Sequence, residues 1–188
     1  MRCSPLLSAD ACEFTLDQNT ANTRLSLSEG NRKVTWVSEK QPYPDHPERF
    51  DWSQVLCREG LSGRFYWEAE WSGSSAGIAV AYKSILRKGE ERSDSLFGRN
   101  DKSWSLYCFV DSYSAHHNYK RTDIPASSSR SRRVGVYLDW PAGTLSFYSV
   151  SSDTLTHLHT FHSKFTEPLY PGFRVWNYNS SVSVCQIT

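Results

Sequence analysis

The sequence predicts an all-β fold, a two-sheet antiparallel β-sandwich. Short runs of alternating apolar and polar residues recur along the chain with turn residues between them, and no stretch sustains the helical period of about 3.6 residues. No internal repeat is present. The clearest run is residues 134–150, VGVYLDWPAGTLSFYSV. Val134, Val136, Leu138 and Trp140 alternate with Gly135, Tyr137 and Asp139, as a strand with one buried face requires. Pro141-Ala142-Gly143 breaks the run, because proline removes a backbone donor and glycine accepts a positive φ. Leu145 and Phe147 resume the alternation, so the segment reads as a β-hairpin buried through its Trp and Phe side chains.

The remaining elements follow in chain order. Residues 1–9 read as a linker, and residues 11–15 as the start of a short helix or turn. Residues 24–28 and 33–37 alternate on either side of the turn Glu29-Gly30-Asn31-Arg32, so they are expected to pair. Residues 41–47 (QPYPDHP) hold three prolines in seven positions and cannot join a strand ladder. Phe65, Trp67, Ala69 and Trp71 share one face of the next strand, with Tyr66, Glu68 and Glu70 on the other. Residues 72–75 form a small-residue hairpin turn into a strand at 76–82. Residues 83–95 are charged and read as an exposed connection. In the strand at 104–110, Trp104, Leu106 and Cys108 share the core face, which sends Tyr107 and Phe109 to the other. Residues 111–119 read as a polar, aromatic loop and 125–131 as a mobile serine-rich one. Residues 155–161, 172–176 and 181–187 supply the last strands.

At 188 residues the chain suits one domain with a good core. Aromatic residues make up 14% of it and methionine occurs once, so Trp, Tyr and Phe must build much of the interior. The formal net charge of +1 argues against bulk electrostatic attraction to nucleic acid or membranes. Cys3, Cys12, Cys57, Cys108 and Cys185 are odd in number and lack any C-x-x-C spacing. They predict neither a disulfide framework nor a zinc knuckle, but reduced thiols in a cytoplasmic domain, with Cys108 and Cys185 in the core. No apolar run approaches the roughly 20 residues that span a bilayer, and the apolar centre of residues 1–7 is too short for a signal peptide. The sequon Asn179-Ser180-Ser181 reads as an unmodified turn.

Motifs that carry chemistry are few. Gly73-Ser74-Ser75-Ala76-Gly77 matches the hydrolase nucleophile elbow, but a strand-like run follows where a helix is needed. His157 and His159 would share a strand face at a workable metal spacing, yet no Cys, Asp or Glu lies within the run. His116 and His117 are adjacent, so on an extended segment their side chains diverge. The densest basic cluster joins Lys120, Arg121, Arg130, Arg132 and Arg133, which with Tyr113, Tyr119 and His117 could serve RNA. There is no phosphate loop, dinucleotide fingerprint or supported triad. The expectation is therefore no enzyme, no cofactor and no metal.

The hairpin L-D-W-P-A-G-T-L-S-F-Y resembles the signature hairpin of the PRY-SPRY (B30.2) domain. Other blocks match in the family's order: Leu16-Asp17-Gln18-Asn19-Thr20-Ala21-Asn22, Leu25-Ser26-Leu27-Ser28-Glu29, Gly63-Arg64-Phe65-Tyr66-Trp67-Glu68-Ala69-Glu70-Trp71, Phe97-Gly98-Arg99-Asn100-Asp101-Lys102-Ser103-Trp104 and Pro168-Leu169-Tyr170-Pro171-Gly172-Phe173. The domain occurs in tripartite-motif ubiquitin ligases, butyrophilins, pyrin, fish NLR-type immune receptors and stonefish-toxin-like proteins. The resemblance implies a concanavalin-like jelly roll with a short N-terminal helical segment. PRY (about 10–60) and SPRY (about 61–187) would form a single unit over residues 10–187.

The resemblance further implies a protein-recognition module of innate immunity, without catalysis of its own. Any ubiquitin-ligase activity would lie in a RING domain absent from this chain. In tripartite-motif relatives the partner pocket uses two aromatics on the strand after the S-W block, here Tyr107 and Phe109. It also uses the segment before S-x-x-R-K-G, here Lys83 where some relatives carry an acid, and a residue after P-L-Y-P-G-F, here Trp176. The variable loops map to residues 41–47, with Tyr43, and 111–120, with His117 and Tyr119. If Tyr107 and Phe109 face outward, replacing both with alanine should remove partner binding and leave thermal stability nearly unchanged. RNA binding through the basic loop is the alternative, and no membrane insertion is expected.

Overall fold

The alternating runs become strands, and the computed structural model describes residues 13–126, 131–152 and 154–185. In order these are β1 (Leu25–Ser28), β2 (Lys33–Trp36), β3 (Gln54–Leu56), β4 (Arg64–Ser72), β5 (Ser75–Tyr82), the one-turn helix α1 (Arg92–Ser95), β6 (Ser103–Phe109), β7 (Ser112–His117), β8 (Lys120–Pro125), β9 (Arg133–Asp139), β10 (Thr144–Ser151), β11 (Thr154–His162), β12 (Leu169–Arg174) and β13 (Ser181–Val184). All pairing is antiparallel. One sheet has the order β1-β2-β13-β4-β9-β10-β11 and the other β3-β12-β5-β6-β7-β8.

The hairpin around Gly143 forms as its pattern dictates. Leu138 pairs Leu145 and Val136 pairs Phe147, all four fully buried. Gly143 takes φ 74°, and its N–H bonds to the Asp139 and Trp140 carbonyls. The β1–β2 hairpin also forms, and β2 then pairs β13. The amino-terminal third thus lends strands to both sheets, since β3 pairs β12 in the other one. The core lies between the sheets. Trp67 and Phe147 from one layer meet Trp104 and Phe173 from the other, all with at most 1% exposure.

Several expectations are corrected. Residues 13–15 are not helical, and Leu16 makes an isolated bridge to Cys57; residues 11 and 12 and the linker at 1–9 lie outside the described residues. Among the described residues the helix lies instead at Arg92–Ser95. The turn at Gly73-Ser74 is not a hairpin: β4 and β5 belong to different sheets, so the chain crosses the sandwich there. Residues 112–117 are a paired strand rather than a loop, because Tyr113 and Ala115 are buried in the core. The connection after β5 is not simply exposed. Ile85, Leu96 and Phe97 are buried, and the chain from 83 to 102 folds back over the outer face of the six-stranded sheet. The serine-rich stretch keeps only Pro125, Ala126 and Ser131 within the described residues.

Candidate functional site

The outer face of the six-stranded sheet is built from cross-strand rows. In one row Leu56, Gly172, Ala79, Ser105 and His116 stand side by side, and in the next come Gln54, Arg174, Gly77, Tyr107 and Ser114. Phe109 pairs Ser75 one step further along. Small residues dominate the first row, so another layer can close on it. Phe97, Phe50 and Ile85 pack there against Leu56, Ala79 and Ala81. The covering segment is stapled by side chains. Asn100 Nδ2 donates to the Ser93 and Leu96 carbonyls, and Ser103 Oγ accepts from the Gly98 N–H at 2.7 Å. Gln54 donates to the Ser95 carbonyl and accepts from the Phe97 N–H.

Cover ends at the row of Tyr107. This residue is only 5% exposed, which corrects the expectation that it faces out freely. Its hydroxyl donates to the Phe97 carbonyl at 2.6 Å, and its ring meets His116 and Trp176 edge-on. Gly77 makes this possible, since a Cβ there would fall 2.8 Å from Tyr107 Cε1. Beside it, Trp176 and Phe109 are half-buried. The Arg174 guanidinium sits 4.4 Å from the Trp176 ring centre and 5.5 Å from that of Tyr107. Phe109 also borders a concavity of about 190 Å³ at the sandwich end, lined with Trp71, Val110, Tyr113, Ala126 and Arg132. Tyr107, Phe109, Trp176 and Arg174 therefore make one partly open aromatic patch.

His116 lies under that patch, hydrogen-bonded to the Ser114 hydroxyl at 2.9 Å. Burial pushes its pKa down to about 4, with Arg99 and Arg121 adding to the effect and Asp123 opposing it. His117 points the other way, as adjacent strand residues must. It stacks on Trp104 with ring centres 4.4 Å apart and bonds the Ser103 carbonyl through Nδ1, so its ring packs toward the core face and not into the patch.

The other expected site residues lie elsewhere. Lys83, just past the far end of β5, pairs with Glu48 at 3.9 Å. Tyr43 donates to the Leu25 carbonyl at 2.7 Å and carries Arg49 over its ring. Tyr119 is 74% exposed at the tip of the β7–β8 turn, held at φ 67°. One residue of the patch was missed: Arg174, whose i, i+2 spacing to Trp176 was its signal. His116, noted in the sequence only beside His117, lies beneath the patch.

The basic cluster is not a cluster. Arg121 pairs with Asp123, Arg132 stacks on Trp71 and donates to the Gly73 carbonyl, and Arg133 meets Glu68. Lys120 opposes His117 at one end of the β7–β8 pair, whereas Arg132 sits by Val110 at the other, about 17 Å along the strands. Arg130 lies outside the described residues. The histidine pair is also separated. A bulge in β11 sets His159 opposite Phe147 and His157 opposite Tyr148, neighbours that face opposite ways. Among the described residues no group of three His, Cys, Asp or Glu could hold a metal ion. None of their helices is long and apolar enough to cross a membrane.

What remains is a two-sheet sandwich whose partly open patch offers rings and a guanidinium. Comparison with known proteins gives its family. Residues 14–61 match PRY, the SPRY-associated domain, and residues 64–187 match the SPRY domain. The chain belongs to the PRY-SPRY family, and so is a protein-interaction module. It is 50% identical to stonustoxin subunit beta of Synanceia horrida over 92% of this chain and 24% of that protein. It is 43% identical to tripartite motif-containing protein 16 of Mus musculus, over 87% of this chain and 29% of that one. The crystal structure of the TRIM65 PSpry domain superposes with a TM-score of 0.83 at 30% identity, covering 92% of this chain and 89% of that one. The chain thus spans about a quarter of the length of the toxin subunit.

Proposed function

We propose that this domain is the targeting part of a larger protein, a tripartite-motif ubiquitin ligase or an NLR-type immune receptor, working in the cytoplasm. It grips a protein ligand on the patch of Tyr107, Phe109, Arg174 and Trp176. One observation carries the reading. The chain's own segment 83–102 seals half of an outer sheet face and stops at Tyr107, leaving Trp176 and Phe109 half-buried at the border. Aromatic side chains so placed gain most when a partner completes their burial. The matched tripartite-motif proteins support a targeting role, and the toxin subunits carry the same module in a longer chain. In either parent the domain's task is adhesion. The experiment is a pull-down with crosslinking, comparing wild type with a Phe109→Ala, Trp176→Ala double variant that spares Tyr107. Loss of the captured protein with an unchanged melting temperature supports the reading, and equal capture refutes it.

A further inference from the structure

Arg174 stands apart from the other partly or fully buried arginines of the fold. Arg49 donates to the carbonyls of Pro44, Gln18 and Ala21. Arg87 donates to those of Ile85, Glu48 and Lys83. Arg174 has only its two rings. Its Nε is buried without a hydrogen-bond partner, and among the described residues no carboxylate comes within ion-pair distance of it. Gln54, its neighbour in register, has already committed its amide to Ser95 and Phe97. A guanidinium is a planar fork of five donors, and leaving one partly desolvated without an acceptor is costly.

Among the described residues no acid pairs with it. Arg99 and Arg121 both act on neighbouring His116, and the acid that acts with them, Asp123, is held by Arg121 at 2.7 Å. The patch is therefore basic as well as aromatic. Nε is sealed beneath it, and the terminal nitrogens of the half-buried guanidinium are the ones left for an acceptor from outside. A carboxylate fits best, because its two oxygens match the guanidinium fork.

We propose that the patch takes an acidic segment of a protein partner, in which an Asp or Glu carboxylate accepts hydrogen bonds from Arg174 while an adjoining apolar side chain packs on Trp176 and Phe109. This rests on the patch being the partner site, as argued above. The rings hold the guanidinium in place before binding, so little side-chain freedom is lost when the pair forms. The contact is shielded on one side by Trp176, which makes it stronger than an exposed surface pair.

A phage-displayed random peptide library, panned on the whole domain, provides the test. The peptides it yields are synthesised and measured on wild type, Arg174→Gln, Arg174→Lys and Trp176→Ala, with melting temperatures recorded for each. The expected result is enrichment of Asp or Glu, at least tenfold weaker binding to Arg174→Gln, and partial retention by Arg174→Lys. Changing the peptide's acid to its amide should cost the same factor on wild type and little more on Arg174→Gln. Peptides without acidic enrichment, or bound equally by Arg174→Gln while Trp176→Ala loses them, overturn the proposal and leave the patch as the site. Binding that ignores Trp176→Ala overturns the site and the proposal together. A library without binders, or Arg174-dependent binding confined to oligouridylate or inorganic phosphate, also overturns it, since the anion would not be a protein carboxylate.

Discussion

Two halves of one sheet face have opposite fates. Leu56, Ala79 and Ala81 are covered by Ile85 and Phe97 of segment 83–102 and by the neighbouring Phe50, and the polar groups of Gln54, Asn100 and Ser103 all find partners. One row on, Tyr107 is the last residue sealed, and Arg174, Trp176 and Phe109 are left half-buried with a guanidinium lacking an acceptor. The strands, the pleat and the solvent are the same. The difference is whether the chain supplies its own lid. A face closed internally serves stability, and a face left open holds its binding energy in reserve for a partner.

Substitutions on the two sides should separate these roles. The largest stability loss is expected from Phe97→Ala, which empties the middle of the lid and should cost about 4 kcal/mol in chemical denaturation. Tyr107→Ala should follow at about 3 kcal/mol, since it removes a buried ring as well as the bond to the Phe97 carbonyl. The double alanine variant of Tyr107 and Phe109 would thus confuse unfolding with lost binding, contrary to what the strand pattern alone suggests. Tyr107→Phe keeps the ring and should lose only about 1 kcal/mol. Trp176→Ala should cost less than about 1 kcal/mol of stability but about 2 kcal/mol or more of partner affinity, reversing the order seen at Phe97.

The smallest effect at neutral pH comes from His116. Its native pKa is held to about 4, below the ordinary value of 6.5, so the unfolded chain binds protons more readily between those limits. Its contribution is fully present above about pH 6.5 and is lost as the pH falls toward 4. Burial lowers His117 and His159 as well and acts in the same direction. A His116→Asn variant should accordingly flatten, without abolishing, the fall in melting temperature between pH 6.5 and 4. An unchanged slope would show that His116 is not desolvated in the folded protein.

Much of the fold was legible because burial on one face writes itself as alternation. The hairpin about Gly143, the β1–β2 pair and the inward set Phe65, Trp67, Ala69 and Trp71 are of this kind. The lid was not legible from its own residues. Ile85-Leu86 and Leu96-Phe97 are short apolar pairs without a strand or helix period, and only the surface they meet decides that Ile85, Leu96 and Phe97 are buried while Leu86 is exposed. That surface did leave a trace, since Gly77, Ala79 and Ala81 alternate with Ile78 and Val80, small beside large, as a closely covered face requires. Strand β7 was hidden because His117 does an aromatic residue's work against Trp104. The histidines of β11 were misread because a bulge belongs to the pairing and not to the spacing. Within the patch, alternation found Tyr107 and Phe109. It could not show that the Phe97 carbonyl, ten residues upstream, ties Tyr107 down.

The division of the sheet face can be tested by backbone amide chemical shifts of the labelled domain, titrated with a peptide selected on it. The account predicts shifts concentrated at Gly77, Phe109, Arg174 and Trp176, with Ala79, Ala81 and Ile85 beneath the lid unmoved. Shifts centred instead on the 41–47 loop or the Tyr119 turn, with the patch silent, would contradict it.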